Sequence, residues 1–280
     1  MTWHRPAESI ANQPISPETA GWTYTGLALY HLEPNATIDI VLAGDECVLV
    51  PLVGSLRVTA NDKTFELVGR PDVFAGPTDL CYLPPGPGAT ISSPAGGEVA
   101  VCTARSERGG PPVYYPAESV AIEIRGAGDG TRQVNHLLGA DVVGPERLIV
   151  VEVITPDGNW SSYPPHKHDE ATESECPLEE IYYFRFNRPG AFGLHRAYTA
   201  NREIDETVAV HHGDAFLVPR GYHGPSAAAP GYPMYYLNVM AGPDPRAWQV
   251  STDADHSWLW ELWATEAPDR RLPWRPEIGL

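Results

Sequence analysis

DLCYLPPGPGATISS (residues 79–93) and DAFLVPRGYHGPSAA (residues 214–228) decide the fold, because the first can be laid over the second with Pro84 on Pro219 and Gly86 on Gly221. In each, a short apolar run stops at a Pro-x-Gly bend, the punctuation of a strand entering a turn. The match implies an internal duplication, with one β unit written twice in the chain.

Working outward, Cys47 to Val53, Ser55 to Ala60, Leu80 to Pro84 and Val99 to Thr103 are short runs bounded by Gly, Pro, Asp or Asn. A similar series follows Arg147: LIVVEVITP, EEIYYFRF, AFGLHRAYT, ETVAVHHGDAFLVPRG and MYYLNVMAG. With 26 Gly and 29 Pro, the chain suits many strands joined by tight turns, so the expected class is all-β. SERGGPPVYYPAE (106–118) is the natural boundary, dividing the chain into 1–115 and 116–280 to within about ten residues. The run Val120 to Arg125 could join either part.

The 19 basic against 36 acidic residues give a formal charge of −17, which repels phosphate backbones and anionic lipid headgroups. Neither nucleic acid nor a membrane is an expected partner. Cys47, Cys81, Cys102 and Cys176 form no CxxC pair and are expected as free thiols in a reducing cytoplasm. No apolar run approaches the length of a membrane span, and the N-terminal MTWHRPAESI lacks the hydrophobic stretch of a signal peptide.

The chemistry concentrates in the second copy. In YPPHKH (163–168) an extended backbone turns His166 and His168 to one face and Lys167 to the other, so one metal ion can take both rings. The bend Pro219 to Gly221 brings His223 back over the barrel as a third ligand. The acidic candidates are Glu179 and Glu180, on opposite faces of EEIYYF. A single histidine is more often a surface or hydrogen-bonded residue than a ligand; the combination of His-x-His, an acidic pair and GDxxxxPxGxH points to a metal site. In the first copy Gly88 takes the slot of His223, and although Asp45 and Glu46 resemble Glu179 and Glu180, no His-x-His precedes them. Only the second copy is expected to hold metal.

HKH, a Glu and G-x5-P-x-G-x-H resemble the two metal-binding motifs of the cupin superfamily, with an acidic loop, DEATESECPLE, inserted before Glu180. More narrowly, GNWSSYPPHKHD (158–169), LEEIYY (178–183), VPRGYHGP (218–225) and YYLNVMAGP (235–243) resemble the 5-deoxy-glucuronate isomerases of myo-inositol catabolism, related to uronate ketol-isomerases. In the third segment Gly224 is an additional residue between His223 and Pro225. The likeness extends over nearly all of the chain. It implies a bicupin, two tandem double-stranded β-helix barrels, and picks Glu180 as the ligand because it precedes an apolar-aromatic pair, Ile181 and Tyr182.

The resemblance further implies conversion of 5-deoxy-D-glucuronate to 5-dehydro-2-deoxy-D-gluconate with one divalent ion, Zn, Mn, Fe or Ni, and no redox cofactor. An enediol route and a hydride shift both remain open. Tyr182, on the face of Glu180, leads the candidates for the catalytic base, followed by Tyr236 and His195. Arg185, Arg196 and Arg220 lie beside site segments and are candidates for the carboxylate of a small sugar acid. His211 and His212 read as turn-flanking surface residues. Trp258, Trp260 and Trp263 read as a tail clamped on a barrel or as a subunit contact, and a homo-oligomer such as a dimer is expected. The rival readings are a cupin Fe(II) dioxygenase, whose turnover would need oxygen, and a non-catalytic sugar-binding cupin.

Overall fold

The computed structural model describes residues 3–243 and 246–275. In the N-terminal half, β1 is His4–Arg5, β2 Thr25–Leu32, β3 Thr37–Leu42, β4 Asp45–Ala60, β5 Lys63–Arg70, β6 Leu80–Leu83, β7 Gly86–Ser92, β8 Gly97–Arg105 and β9 Val113–Tyr115. In the C-terminal half, β10 is Ala121–Arg125, β11 Arg132–Leu138, β12 Ile149–Thr155, β13 Trp160–Ser161, β14 His166–Lys167, β15 Glu179–Phe186 and β16 Phe192–Tyr198. There follow β17 Asp205–His211, β18 Ala215–Leu217, β19 Tyr222–Ala228, β20 Met234–Ala241 and β21 Ser251–Thr252. Among the described residues no helix is long and apolar enough to cross a membrane.

The first half is one curled eight-stranded sheet with β2-β8-β4-β6-β9 as its spine. The second half has two sheets, β1-β18-β15-β20-β12-β11-β10 and β17-β16-β19-β14-β21. Pairing with the first half ends at Tyr115, and Ala121–Arg125 pairs with the second half through β11. The chain start crosses over: His4 and Arg5 pair with Phe216 and Ala215. Asp214 anchors that crossing, accepting hydrogen bonds from His4 Nε2 at 2.8 Å, Ala7 N at 3.0 Å and His211 N at 2.9 Å.

Two sequence expectations change on folding. Cys47–Val53 and Ser55–Ala60 form one strand, because Gly54 at φ +78 bends the chain without ending it. Before the bend β4 pairs β6 and β8; after it, β5 and β7. The acidic pair is also shifted by one. Val48 pairs Tyr82 as Ile181 pairs Leu217, and under the overlay of 79–93 on 214–228 those partners are equivalent, so Glu46 stands for Glu179 and Cys47 for Glu180. Cys47 is fully buried in a cluster with Leu49, Cys81, Leu83 and Ile91, so a thiol stands where the second half has the Glu180 carboxylate. All four cysteines are free and buried.

Candidate metal centre

Two tight backbone turns bring the site together. Gly221 at φ +90 makes the bend before β19, and a Cβ there would stand 2.7 Å from the Tyr198 carbonyl. Gly224, the additional residue after His223, has φ +97, and a Cβ on it would sit 1.8 Å from the Ser162 carbonyl. Only glycine lets β19 pass so close to the 160s loop. As a result His166 on β14 and His223 on β19 are direct cross-strand partners, with ring centroids 4.4 Å apart.

Among the described residues, the ligand atoms of His168, Glu180 and His223 lie within 4.8 Å of one another, and all three residues are buried. His166 is outside that tightest set but flanks it through His223. His168 Nδ1 donates to the Leu178 carbonyl at 3.0 Å, which leaves Nε2 as the lone-pair atom, 2.8 Å from Glu180 Oε2. Two lone pairs so close require a proton or a cation between them. Likewise, His166 Nδ1 donates to the Pro164 carbonyl at 3.1 Å, which frees its Nε2. His223 Nε2 is 3.1 Å from Glu180 Oε2, yet neither of its buried ring nitrogens has a hydrogen-bond partner. The unpartnered nitrogens of His223 beside one carboxylate, with the free Nε2 of His166 and the Nε2 of His168, fit a divalent ion.

The electrostatics agree. Burial opposes charge on Glu180, but the His168 and His223 rings against its carboxylate hold it well below the usual carboxylate range. Burial lowers His223, and burial with the nearby His223 lowers His166. His168 is raised by Glu180 despite its burial. An anionic carboxylate and mostly neutral imidazoles are the donor forms that a metal needs.

The remaining candidates divide. Tyr182 and Tyr236 face the centre: Ser162 Oγ lies 2.8 Å from the Tyr182 hydroxyl and 3.2 Å from that of Tyr236. His195 is fully buried behind Tyr182, with ring centroids 4.7 Å apart, and is bonded to Ser226 Oγ at 2.7 Å. Burial pushes its pKa down to about 3. It is not among the residues lining the cavity over the centre.

None of the three candidate arginines reaches that cavity. Arg185 shares the opposite face of β15 with Tyr183, because side chains alternate, and it pairs with Glu98 of the first half. Arg196 is held by Asp205 at 2.8 Å on the exposed β16–β17 edge. Arg220 pairs with Glu203 at the surface. Instead, Arg125 and Arg132 line the cavity with Glu180, Tyr182, Tyr236 and His166. Burial pushes the Arg132 guanidinium down to about 10, and Arg125 adds to the effect. Sequence reasoning missed this pair because the strand that carries Arg125 could not be assigned to a half. His211 and His212 flank the Gly213 turn away from the centre, as expected.

The cavity continues outward into a space of about 250 Å³ walled by Tyr163, Trp248 and Trp260. Trp263 packs behind it, 6.3 Å from Tyr163, while Trp258 is exposed. A larger cavity of about 490 Å³ lies between the halves, against Phe74, Arg185 and Trp274, with no part of the centre in its lining.

Comparison with known proteins follows the same lines. The model of the KduI/IolB family matches residues 4–259. The 5-deoxy-glucuronate isomerase of Geobacillus kaustophilus is 42% identical over 261 residues, covering 92% of this chain and 94% of its own. That of Listeria monocytogenes is 40% identical, covering 89% and 92%. The crystal structure of an IolB-like protein from Salmonella typhimurium superposes with a TM-score of 0.85 at 40% identity, over 88% of this chain and 94% of that one. Lactobacillus farciminis oxalate decarboxylase shares the fold alone, with a TM-score of 0.61 at 12% identity over 85% and 82% of the two chains.

Proposed function

From the premise that this chain belongs to the KduI/IolB family, we propose that it is a metal-dependent aldose-ketose isomerase that converts 5-deoxy-D-glucuronate to 5-dehydro-2-deoxy-D-gluconate. The observation that carries this reading is 42% identity to an enzyme of that name across nine-tenths of both chains. The buried His168, Glu180 and His223 cluster supports it.

In this reading His166, His168, Glu180 and His223 hold one divalent ion. When bound, the ion polarises the sugar's carbonyl and makes the hydrogen on the adjacent carbon more acidic. The protein's own groups then manage protons. The aldose loses a proton from C2 and gains one at C1, while the 2-hydroxyl proton passes to the former carbonyl oxygen, so atoms and electrons balance without a redox partner. Tyr182, Ser162 and Tyr236 form a connected set of hydroxyls in the cavity and are the groups through which these protons are handed on. Tyr163, Trp248 and Trp260 wall the outer part.

The test is to strip the protein with a chelator, reload it with single divalent metals and follow 5-deoxy-glucuronate by NMR without nucleotide or oxygen. Metal-dependent formation of the ketose is expected. Turnover that needs oxygen would point to a dioxygenase, and turnover untouched by chelation would remove the metal from the mechanism.

A further inference from the structure

Arg125 and Arg132 stand directly opposite each other across β10 and β11. Like charges in that position weaken a strand pair unless they are neutralised. Only one of them is. Arg125 gives Nε and Nη2 to Glu123 at 2.8 and 2.7 Å and lies 4.9 Å over the Trp248 ring. Glu123 also bonds His136 Nε2 at 3.0 Å, so its two oxygens are committed.

Arg132 is 5% exposed. Among the described residues it pairs with no carboxylate; its hydrogen bond is from Nη1 to the Gly130 carbonyl at 3.1 Å. A guanidinium left without a counter-charge inside a protein is costly, and this one faces the same cavity as Glu180, Tyr182 and Tyr236. A divalent ion held by the His/Glu cluster would take an electron-rich oxygen of a ligand at that end. A ligand that completes both ends is therefore one molecule with a carbonyl or hydroxyl at one end and an anion at the other.

We infer that Arg132, with Arg125 beside it, is the seat of the substrate's carboxylate, so that a sugar acid lies mainly in the outer space of about 250 Å³ and reaches the His/Glu cluster through the inner cavity of about 30 Å³, both of which are lined by the two arginines and His166. The planar guanidinium of Arg132 donates its N–H groups to the carboxylate, and Arg125, held in place by Glu123 and Trp248, stands beside it on the same wall. This inference rests on the isomerase reading for the identity of the acid, but the anion site is tested without turnover.

The experiment compares D-gluconate with D-glucitol by calorimetry on the metal-loaded full chain. The two share a carbon skeleton and hydroxyls and differ in the carboxylate. Gluconate is expected to bind at least about 10-fold more tightly than glucitol. Arg132→Gln lowers gluconate affinity on the order of 100-fold and leaves glucitol unchanged, and Arg132→Lys falls between, because a point charge replaces a fork. Should Arg132→Gln fail to fold by circular dichroism, Arg125→Gln carries the test, with an expected loss of about 10-fold. Equal binding of the two polyols, no binding of gluconate, or variants that bind it like the parent would overturn the site. Gluconate binding that depends on Arg132, without conversion of 5-deoxy-glucuronate, would uphold the site and reject the isomerase reading.

Discussion

Glu180 is the residue at which the candidate site is most exposed to test. Its Oε2 is the one atom approached by both His168 Nε2 and His223 Nε2, at 2.8 and 3.1 Å. Glu180→Gln keeps the shape and removes the charge, and also presents an amide to nitrogens that have no hydrogen to spare. Disturbing a mere outer partner of a metal site costs about 10–100-fold in metal affinity or activity, so replacing the ligand is expected to exceed the upper end. Metal content by mass spectrometry should fall with turnover; full metal occupancy in Glu180→Gln would dismiss the carboxylate as a ligand. Tyr182→Phe separates chemistry from binding. It removes one hydroxyl from the set joined through Ser162 Oγ at 2.8 Å, with the ring kept in place. The expected effect is a kcat about 100-fold lower with metal content unchanged, in the range of a lost proton-transfer group. A variant that turns over like the parent would take Tyr182 out of the proton path.

Elements show why part of the site was legible in the sequence and part was not. Alternation in YPPHKH and the Pro-x-Gly bend before β19 are local rules that point to His166, His168 and His223, whereas alternation along β15 leaves Glu179 and Glu180 open and only the family resemblance picks Glu180. Of these, His168, Glu180 and His223 make the tightest group. Which strand lies opposite which is not local. Arg125 and Arg132 become neighbours only because β10 folds back on β11, and Arg185 turns out to serve the junction because odd and even positions of β15 face different halves. The same alternation gives Glu46 and Glu179 a shared task that the sequence reading did not foresee. Glu179 accepts hydrogen bonds from the backbone N–H groups of Thr23, Tyr24 and Thr25 at 2.7, 2.8 and 2.9 Å, just where the chain enters β2. Glu46 accepts from Glu146, Arg147 and Leu148 at 2.8, 2.7 and 2.8 Å, just before β12. Each half thus caps the entering strand of the other. Glu46 is fully buried and also receives the Tyr82 hydroxyl at 2.8 Å. Glu46→Gln sets an amide against four donors and is expected to cost about 2–3 kcal/mol in chemical denaturation, while metal content per folded molecule stays the same. Unchanged stability would mean that the clamp is incidental.

Across the whole molecule, the halves are joined by charge as well as by apolar packing, and the C-terminal tail closes the join. Arg70 of the first half and Glu152 of the second form a buried bidentate pair at 3.0 and 2.8 Å, so removing one partner leaves a stranded charge. The tail beyond the short helix Leu259–Trp263 then runs back over both halves. Arg271 donates to Asp157 Oδ1 at 2.7 Å and to Asn159 Oδ1 at 2.8 Å, and Trp274 Nε1 donates to the Phe74 carbonyl at 3.0 Å in the first half. Asp269 holds this strap together, taking Arg271 Nε at 3.0 Å and Asn159 Nδ2 at 3.0 Å on Oδ2. Its hydrogen bonds from Arg271, against some loss from burial, bring its carboxyl down from an ordinary 3.8 to about 2. Because the folded value is the lower one, the stability that Asp269 contributes is complete above 3.8 and is lost as the pH falls toward about 2. The short helix from which the tail continues carries Trp260 onto the cavity wall and Trp263 to within 6.0 Å of Arg132, so loosening the strap is expected to change both fluorescence and access to the centre. Asp269→Asn is therefore expected to be less stable than the parent at neutral pH, with the difference in denaturation midpoint closing as acid titrates the parent's carboxyl. Tryptophan emission recorded alongside reports the strap itself. A difference between the two proteins that stays constant through that acid window would show that the ionised carboxylate of Asp269 does not hold the tail.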